Sequence, residues 1–114
     1  MDNCLFCKII KGDIPANKVY ENEHVLAFRD IDPKAPVHIL VIPKKHIKSI
    51  NDLESSDKYL AGELILASKK IAKDQGIDSK GFRTIFNTND DGGQTVYHIH
   101  MHIMGGRQMK WPPG

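Results

Sequence analysis

The stretch Tyr97-His98-Ile99-His100-Met101-His102-Ile103 carries three of the chain's six histidines at alternate positions. Near neutral pH an imidazole can act as nucleophile, hydrogen-bond donor, proton shuttle or metal ligand. Alternate side chains of a β-strand share a face. A strand here predicts His98, His100 and His102 on one face, with Tyr97, Ile99, Met101 and Ile103 on the other. Two chemistries fit such a row. One is a three-histidine metal site. Same-face residues sit about 6.7 Å apart, so His98 and His102 would lie about 13 Å apart at the backbone. Zinc–nitrogen bonds of about 2.0–2.1 Å demand convergence, which needs a bulge or kink. The other is a row beneath an extended anionic substrate, with the middle histidine reacting and its neighbours orienting it. The bland reading is three unrelated polar residues on a wet face.

The preceding segment, Asp91-Gly92-Gly93-Gln94-Thr95, favours the anionic substrate. Glycines let backbone N–H groups approach a phosphate, and Thr95 adds a hydroxyl. Gly-Gly in a turn is ordinary alone; beside the histidine row it makes a coherent anion site. The chain's two cysteines, Cys4 and Cys7, form a C-x₂-C pair. That is half of a four-ligand zinc site. It is equally a pair of small apolar residues on a short helix.

Several elements must position these groups. Asn3 can cap a short helix over Cys4–Lys11, with Phe6, Ile9 and Ile10 at helical spacing and Gly12 and Pro15 ending it. Lys18–Glu21 and His24–Asp30 read as strands joined by a polar turn. Val37–Ile42 is apolar at nearly every position, which predicts a central strand covered on both faces. A long helix is expected from about Asp57 to Gln75, capped by Ser55 or Ser56. Its stripe is Leu60, Leu64, Ala67 and Ile71, widened by Ala61, Ile65 and Ala72, and Gly76 stops it. Gly81–Asn87 and Val96–Met104 complete five strands, with a polar loop over Thr88–Gln94 between them. The pattern predicts an α+β fold: a mostly antiparallel sheet with one long and one short helix packed on one side.

At 114 residues, the chain is read as a single domain, 1–114. Sixteen basic against fourteen acidic residues give a net charge of +2, too even for a nucleic-acid footprint. The longest apolar run, Ile39–Pro43, is far shorter than the ~20 residues of a membrane span. Met1-Asp2-Asn3-Cys4 lacks the pattern of a leader peptide. The expectation is a cytoplasmic protein with neither nucleic-acid nor membrane partner.

The segment Gly92–His102 resembles the signature of the histidine triad nucleotide-binding superfamily. The resemblance extends over nearly the whole chain. It includes Lys8-Ile9-Ile10 with Ile14-Pro15, Ala27-Phe28-Arg29-Asp30-Ile31, and Ala35-Pro36-Val37-His38 through Lys45-His46-Ile47. The ending Gly105–Gly114 is similar to that of the nucleoside phosphoramidase branch. The resemblance implies hydrolysis of a purine nucleoside 5'-phosphoramidate to AMP or GMP and an amine. It also implies a homodimer whose sheets join into one. His100 looks like the nucleophile, with His102 and His38 lining the phosphate site. Asn87 and Thr95 resemble the phosphate and leaving-group contacts, with Gly93 and Gln94 in the loop. Asp30 matches the ribose-hydroxyl acceptor, although it could equally cap the turn before Pro33. Ile31 matches a wall of the base pocket. Trp111 would reach toward the partner's site and the leaving group. Thr95 stands where close relatives have serine. Other readings are a dinucleoside polyphosphate hydrolase, a nucleotide-binding or scaffolding module with low turnover, and a histidine-ligated metallohydrolase.

Some members of the superfamily with such a cysteine pair bind zinc. They use the pair, a histidine after the third strand and the first histidine of the triad. Those positions here are Cys4, Cys7, His46 and His98. Other relatives lack the cysteines, so the resemblance implies a structural zinc that catalysis does not need.

Overall fold

The structure is a computed structural model and describes residues 3–114; Met1 and Asp2, part of the leader reading, lie outside them. The chain runs α1 (Leu5–Lys11), β1 (Lys18–Glu21), β2 (Val25–Arg29), β3 (Val37–Pro43), α2 (Lys58–Asp74), β4 (Phe82–Phe86), α3 (Asn89–Gly92, a single turn) and β5 (Met101–Gly105). The strands make one five-stranded sheet in the order β1-β2-β3-β5-β4, and every pairing is antiparallel. The apolar run of β3 takes the central place, buried from His38 to Pro43.

Alternation along the strands builds two cores. Ile39 and Val41 of β3, Val25 and Ala27 of β2, and Met101 and Ile103 of β5 face one way. They pack with Leu64, Ala67, Ile71 and Ala72 of α2. Leu40 and Ile42, with Leu26 and Phe28, face the other way and meet Phe6 and Ile9 of α1. The two helices therefore cover opposite faces, and the expectation of helices on one side is corrected. A central strand apolar on both faces needs cover on both. At seven residues α1 is about 10 Å long. It roofs only part of its face, and the open remainder lies beside the histidines.

Three local expectations also change. Cys4, not Asn3, caps α1, its Sγ accepting the Cys7 N–H at 3.4 Å. Asp57, at the end of a 3₁₀ turn over Ser55–Asp57, holds the N-cap position of α2, but its carboxylate accepts the Glu54 N–H at 2.9 Å rather than a helix N–H. Ile65 does not widen the buried stripe; it is exposed, as are Tyr59 and Leu66.

The largest correction concerns the histidine strand. β5 begins at Met101, so His98 and His100 lie ahead of it on bent, unpaired backbone. Pairing of β3 with β5 ends at Val41↔Met101. Pro43 has no N–H to extend a ladder. Its carbonyl instead accepts the His98 Nε2–H at 2.8 Å, and the Ile99 N–H turns to the Ile47 carbonyl at 2.6 Å. Tyr97 is consequently exposed and does not join Met101 and Ile103 on α2. Among the described residues, no helix is long and apolar enough to cross a membrane.

Candidate active site

Hydrogen bonds fix the ring state of three histidines. The Lys34 backbone N–H donates to His38 Nδ1 at 3.0 Å. His38 therefore carries its hydrogen on Nε2, which lies 2.9 Å from His102 Nδ1 and 3.4 Å from Asp30 Oδ2. The shorter contact makes His102 Nδ1 an acceptor, so His102 presents an Nε2–H. His100 Nδ1 lies 2.8 Å from the His98 carbonyl and must donate to it. That leaves His100 Nε2 without a hydrogen, its lone pair free. The His100 and His102 rings are 5.1 Å apart between centroids. One thus offers a nucleophilic nitrogen and its neighbour a donor.

Electrostatics keeps these rings neutral. Burial pushes His100 and His98 below the ordinary imidazole value, against their backbone hydrogen bonds. Burial, then the neighbouring His100 and His38, push His102 down to about 4. Burial also lowers His38 and outweighs the pull of Asp30. The 3.4 Å His38–Asp30 contact is therefore not an ion pair at neutral pH.

His100 and His102 open onto a cleft of about 590 Å³. Leu5, Phe6 and Ile9 of α1 form one wall, and Phe28 and Leu40 of the sheet form the floor. Asp30 and Ile31 stand at one rim and Thr95 and Val96 at another. A mostly apolar slot with a few polar groups at one end suits a flat heterocycle carrying an anionic tail. Ile31 and Thr95 are exposed, so the rim is wet. Asp30 also caps the turn, as its Oδ1 accepts the Asp32 N–H at 2.8 Å.

Of the residues singled out from sequence, Asp30, Ile31, Thr95, His100 and His102 line this cleft, and His38 supports His102 from behind. Asn87, Gly93 and Gln94 are outside that lining. Gln94 is buried and braces the loop. Its Nε2 donates to the Lys48 and Val96 carbonyls, and its Oε1 accepts the Asn89 N–H. The Gly93 and Gln94 N–H groups donate to the carbonyls of Asp90 and Asn89. Trp111 is 83% exposed in the single chain. Sequence reasoning missed the walls. Phe6 and Ile9 were visible only as apolar positions of a short helix, and Leu40 only as core. No periodicity distinguishes a residue that packs from one that lines a slot.

His98 belongs to a second constellation. Its Nδ1 lies 3.4 Å from Cys4 Sγ, 3.6 Å from Cys7 Sγ and 3.2 Å from His46 Nδ1. Cys7 Sγ is 3.4 Å from His46 Nδ1. Four donor atoms within 4.8 Å of one another could hold a metal ion. Tetrahedral zinc with ordinary bond lengths sets its ligand atoms about 3.3–3.8 Å apart, so this donor set fits. The kink that a metal site demanded of the histidine row is present, but it sends His98 to the cysteines rather than gathering the three histidines.

The comparisons accord with this geometry. A HIT domain model matches residues 11–109. The chain belongs to the HIT family. A HIT family hydrolase from Legionella pneumophila is 55% identical, with a TM-score of 0.97 over 98% of this chain and 100% of that one. An uncharacterised HIT-like protein from Synechococcus elongatus is 50% identical over 99% of this chain and 98% of its own. The histidine triad nucleotide-binding protein of Candida albicans is 30% identical, with a TM-score of 0.83 over 96% of this chain and 83% of that one. The HIT fold that hydrolases and a nucleotide-binding protein share is thus the fold of this chain.

Proposed function

We propose that this HIT protein hydrolyses purine nucleoside 5'-phosphoramidates, releasing AMP or GMP and an amine. The observation that carries the reading is the His100 ring. Its Nδ1–H is held by the His98 carbonyl and its bare Nε2 shares a cleft with His102. The base would occupy the slot between α1 and the sheet, against Ile31, and Asp30 would accept from the ribose hydroxyls. His100 Nε2 attacks phosphorus, and the bond from phosphorus to the amine breaks. The His102 Nε2–H binds the phosphate oxygen on which charge builds. The departing amine takes a proton from water at the wet rim, beside the Thr95 hydroxyl. The hydroxide left behind attacks phosphorus, the electron pair of the bond to His100 returns to Nε2, and the nucleoside monophosphate leaves. Gly93 and Gln94 hold the loop that presents Thr95, and Asn87 is read as a contact of the phosphate and leaving group.

The metal cluster is read as a zinc site that pins α1 to the sheet and takes no part in the reaction. The partner is read as a second copy. Tyr59 and Leu66 of α2 are exposed, and β4 is an unpaired sheet edge beyond β5. Joining two such edges makes one continuous sheet, and Trp111 would reach the partner's cleft. The cytoplasm is the expected compartment, and nucleic acid and membranes are not expected partners.

The test is an assay of adenosine and guanosine phosphoramidates beside diadenosine polyphosphates, with and without chelator. Turnover of the phosphoramidates at a rate the chelator does not abolish is expected. Preference for the polyphosphates would move the protein to a dinucleoside polyphosphate hydrolase. Tight nucleotide binding without turnover would make it a binding module. Abolition by chelator would make it a metallohydrolase.

A further inference from the structure

One residue, His98, joins the cysteine cluster to the reactive histidine. Its ring nitrogen Nδ1 faces Cys4 and His46 at 3.4 and 3.2 Å, while its carbonyl holds the His100 Nδ1–H at 2.8 Å. A second link runs through Phe6, which sits between the two cysteines on α1. Its buried ring stands edge-on to His98, with centroids 5.9 Å apart at 69°, and perpendicular to His100, at 5.1 Å and 90°. Edge contacts between aromatic rings are directional, so a small rotation of α1 moves this buttress off the His100 ring. A helix of two turns has little stability of its own. Its orientation must come from its attachments, and the cysteines supply one at its first turn.

We propose that Phe6 is a positioning residue for His100, and that the Cys4–Cys7–His46–His98 cluster sets the pose of the His100 ring through Phe6 and the His98 carbonyl. The inference rests on the reading of His100 as nucleophile for its kinetic consequence, but not for its structural one. Bound metal makes the cluster rigid at both ends. α1 is then locked relative to the sheet, and the His98 peptide cannot turn its carbonyl away from His100. Loss of the metal frees both together. Outer partners of a reactive group characteristically change rate by about 10- to 100-fold without touching substrate.

The experiment compares the intact protein loaded with Zn²⁺, stripped by chelator and reloaded, together with Zn²⁺-loaded Phe6→Leu. Nitrogen-edited NMR of the histidine rings reports the His100 tautomer directly. In the loaded protein a single Nδ1–H form is expected. Stripping should broaden it into an exchanging pair of tautomers, and reloading should restore it. Phe6→Leu should show the same broadening while retaining its zinc, which covers the case in which the stripped protein unfolds. With a phosphoramidate substrate, kcat should fall about 10-fold in both states. Phe6 also walls the slot, so affinity for AMP falls as well, and the positioning role is read from the His100 ring signal, which a wall that only packed the base would leave sharp. A sharp, unchanged His100 Nδ1–H signal in both stripped protein and Phe6→Leu overturns the proposal. If the protein hydrolyses no phosphoramidate, the ring spectra still decide it, so failure of the hydrolase reading is told apart from failure of this one.

Discussion

His38 on β3 and His102 on β5 meet at 2.9 Å, Nε2 to Nδ1, across two neighbouring strands. In the register His38 pairs with Met104 and Leu40 with His102, so the two histidines are diagonal neighbours on one face. The contact ties the ring state of His102 to a backbone N–H at Lys34, 3.0 Å from the far side of His38.

Removing that tie should impair the reaction without emptying the cleft. In His38→Ala, His102 can adopt either tautomer, and the Nε2–H offered to the phosphate is no longer enforced. We expect kcat to fall about 10- to 100-fold, by the scale typical of outer-partner loss, with KM changed far less. Steady-state kinetics on an adenosine phosphoramidate checks this. Unchanged kcat would detach His38 from the site.

The acid sensitivity of the fold has a definite sign. His102 is pushed down to about 4 by burial and by its histidine neighbours, and its unfolded value is near 6.5. Between those values the unfolded chain binds the proton and the folded chain does not. Its contribution is full above pH 6.5 and is lost as pH falls toward 4. Thermal unfolding from pH 7 to 4 should show the Tm falling through this window, with a shallower fall in His102→Asn. Equal slopes would contradict the assignment. Activity should likewise persist below pH 6.5, because His100 is also lowered by burial.

Much of this arrangement was legible in the sequence, and the limits are physical. β3 announced itself because every residue of Ile39–Ile42 must be covered. The stripe of α2 was visible in Leu64, Ala67 and Ile71, while Ile65, read as part of it, gave no sign of being exposed. The strand rule failed at His98, which turns to the cysteines, while His100 and His102 still share the cleft. Alternation is a property of paired backbone, and pairing stops at Met101 because Pro43 offers no donor. The resemblance grouped Cys4, Cys7, His46 and His98, and their convergence depends on that break. The walls formed by Phe6 and Leu40 were hidden because core and slot use the same apolar residues.

Protein purified without added metal should contain about one zinc per chain. Cys4→Ser, Cys7→Ser should lose it and still turn over, at a reduced rate. Structural sites of this kind contribute directly to folding free energy, so the variant should also melt earlier. Elemental analysis beside a melting curve reads both. A metal-free native protein with two freely reactive thiols would remove the site.

The assembly is tested by mass in solution. A dimer at micromolar concentration is expected, with the edge β4 and exposed Tyr59 and Leu66 buried. Deleting residues 109–114, which carry the exposed Trp111, should alter preference among amine leaving groups more than affinity for AMP. A monomer would contradict the joined sheet.

The most direct measurement is a single-turnover reaction quenched within the first turnover and read by mass spectrometry of the chain. The geometry at His100 predicts a transient mass gain of one nucleotidyl group, mapped to that residue and discharged by water. His100→Ala should show no such adduct and should lose turnover by about 10³-fold or more, on the scale of nucleophile deletions. Hydrolysis at full rate with no labelled chain, and near-normal turnover in His100→Ala, would contradict the account.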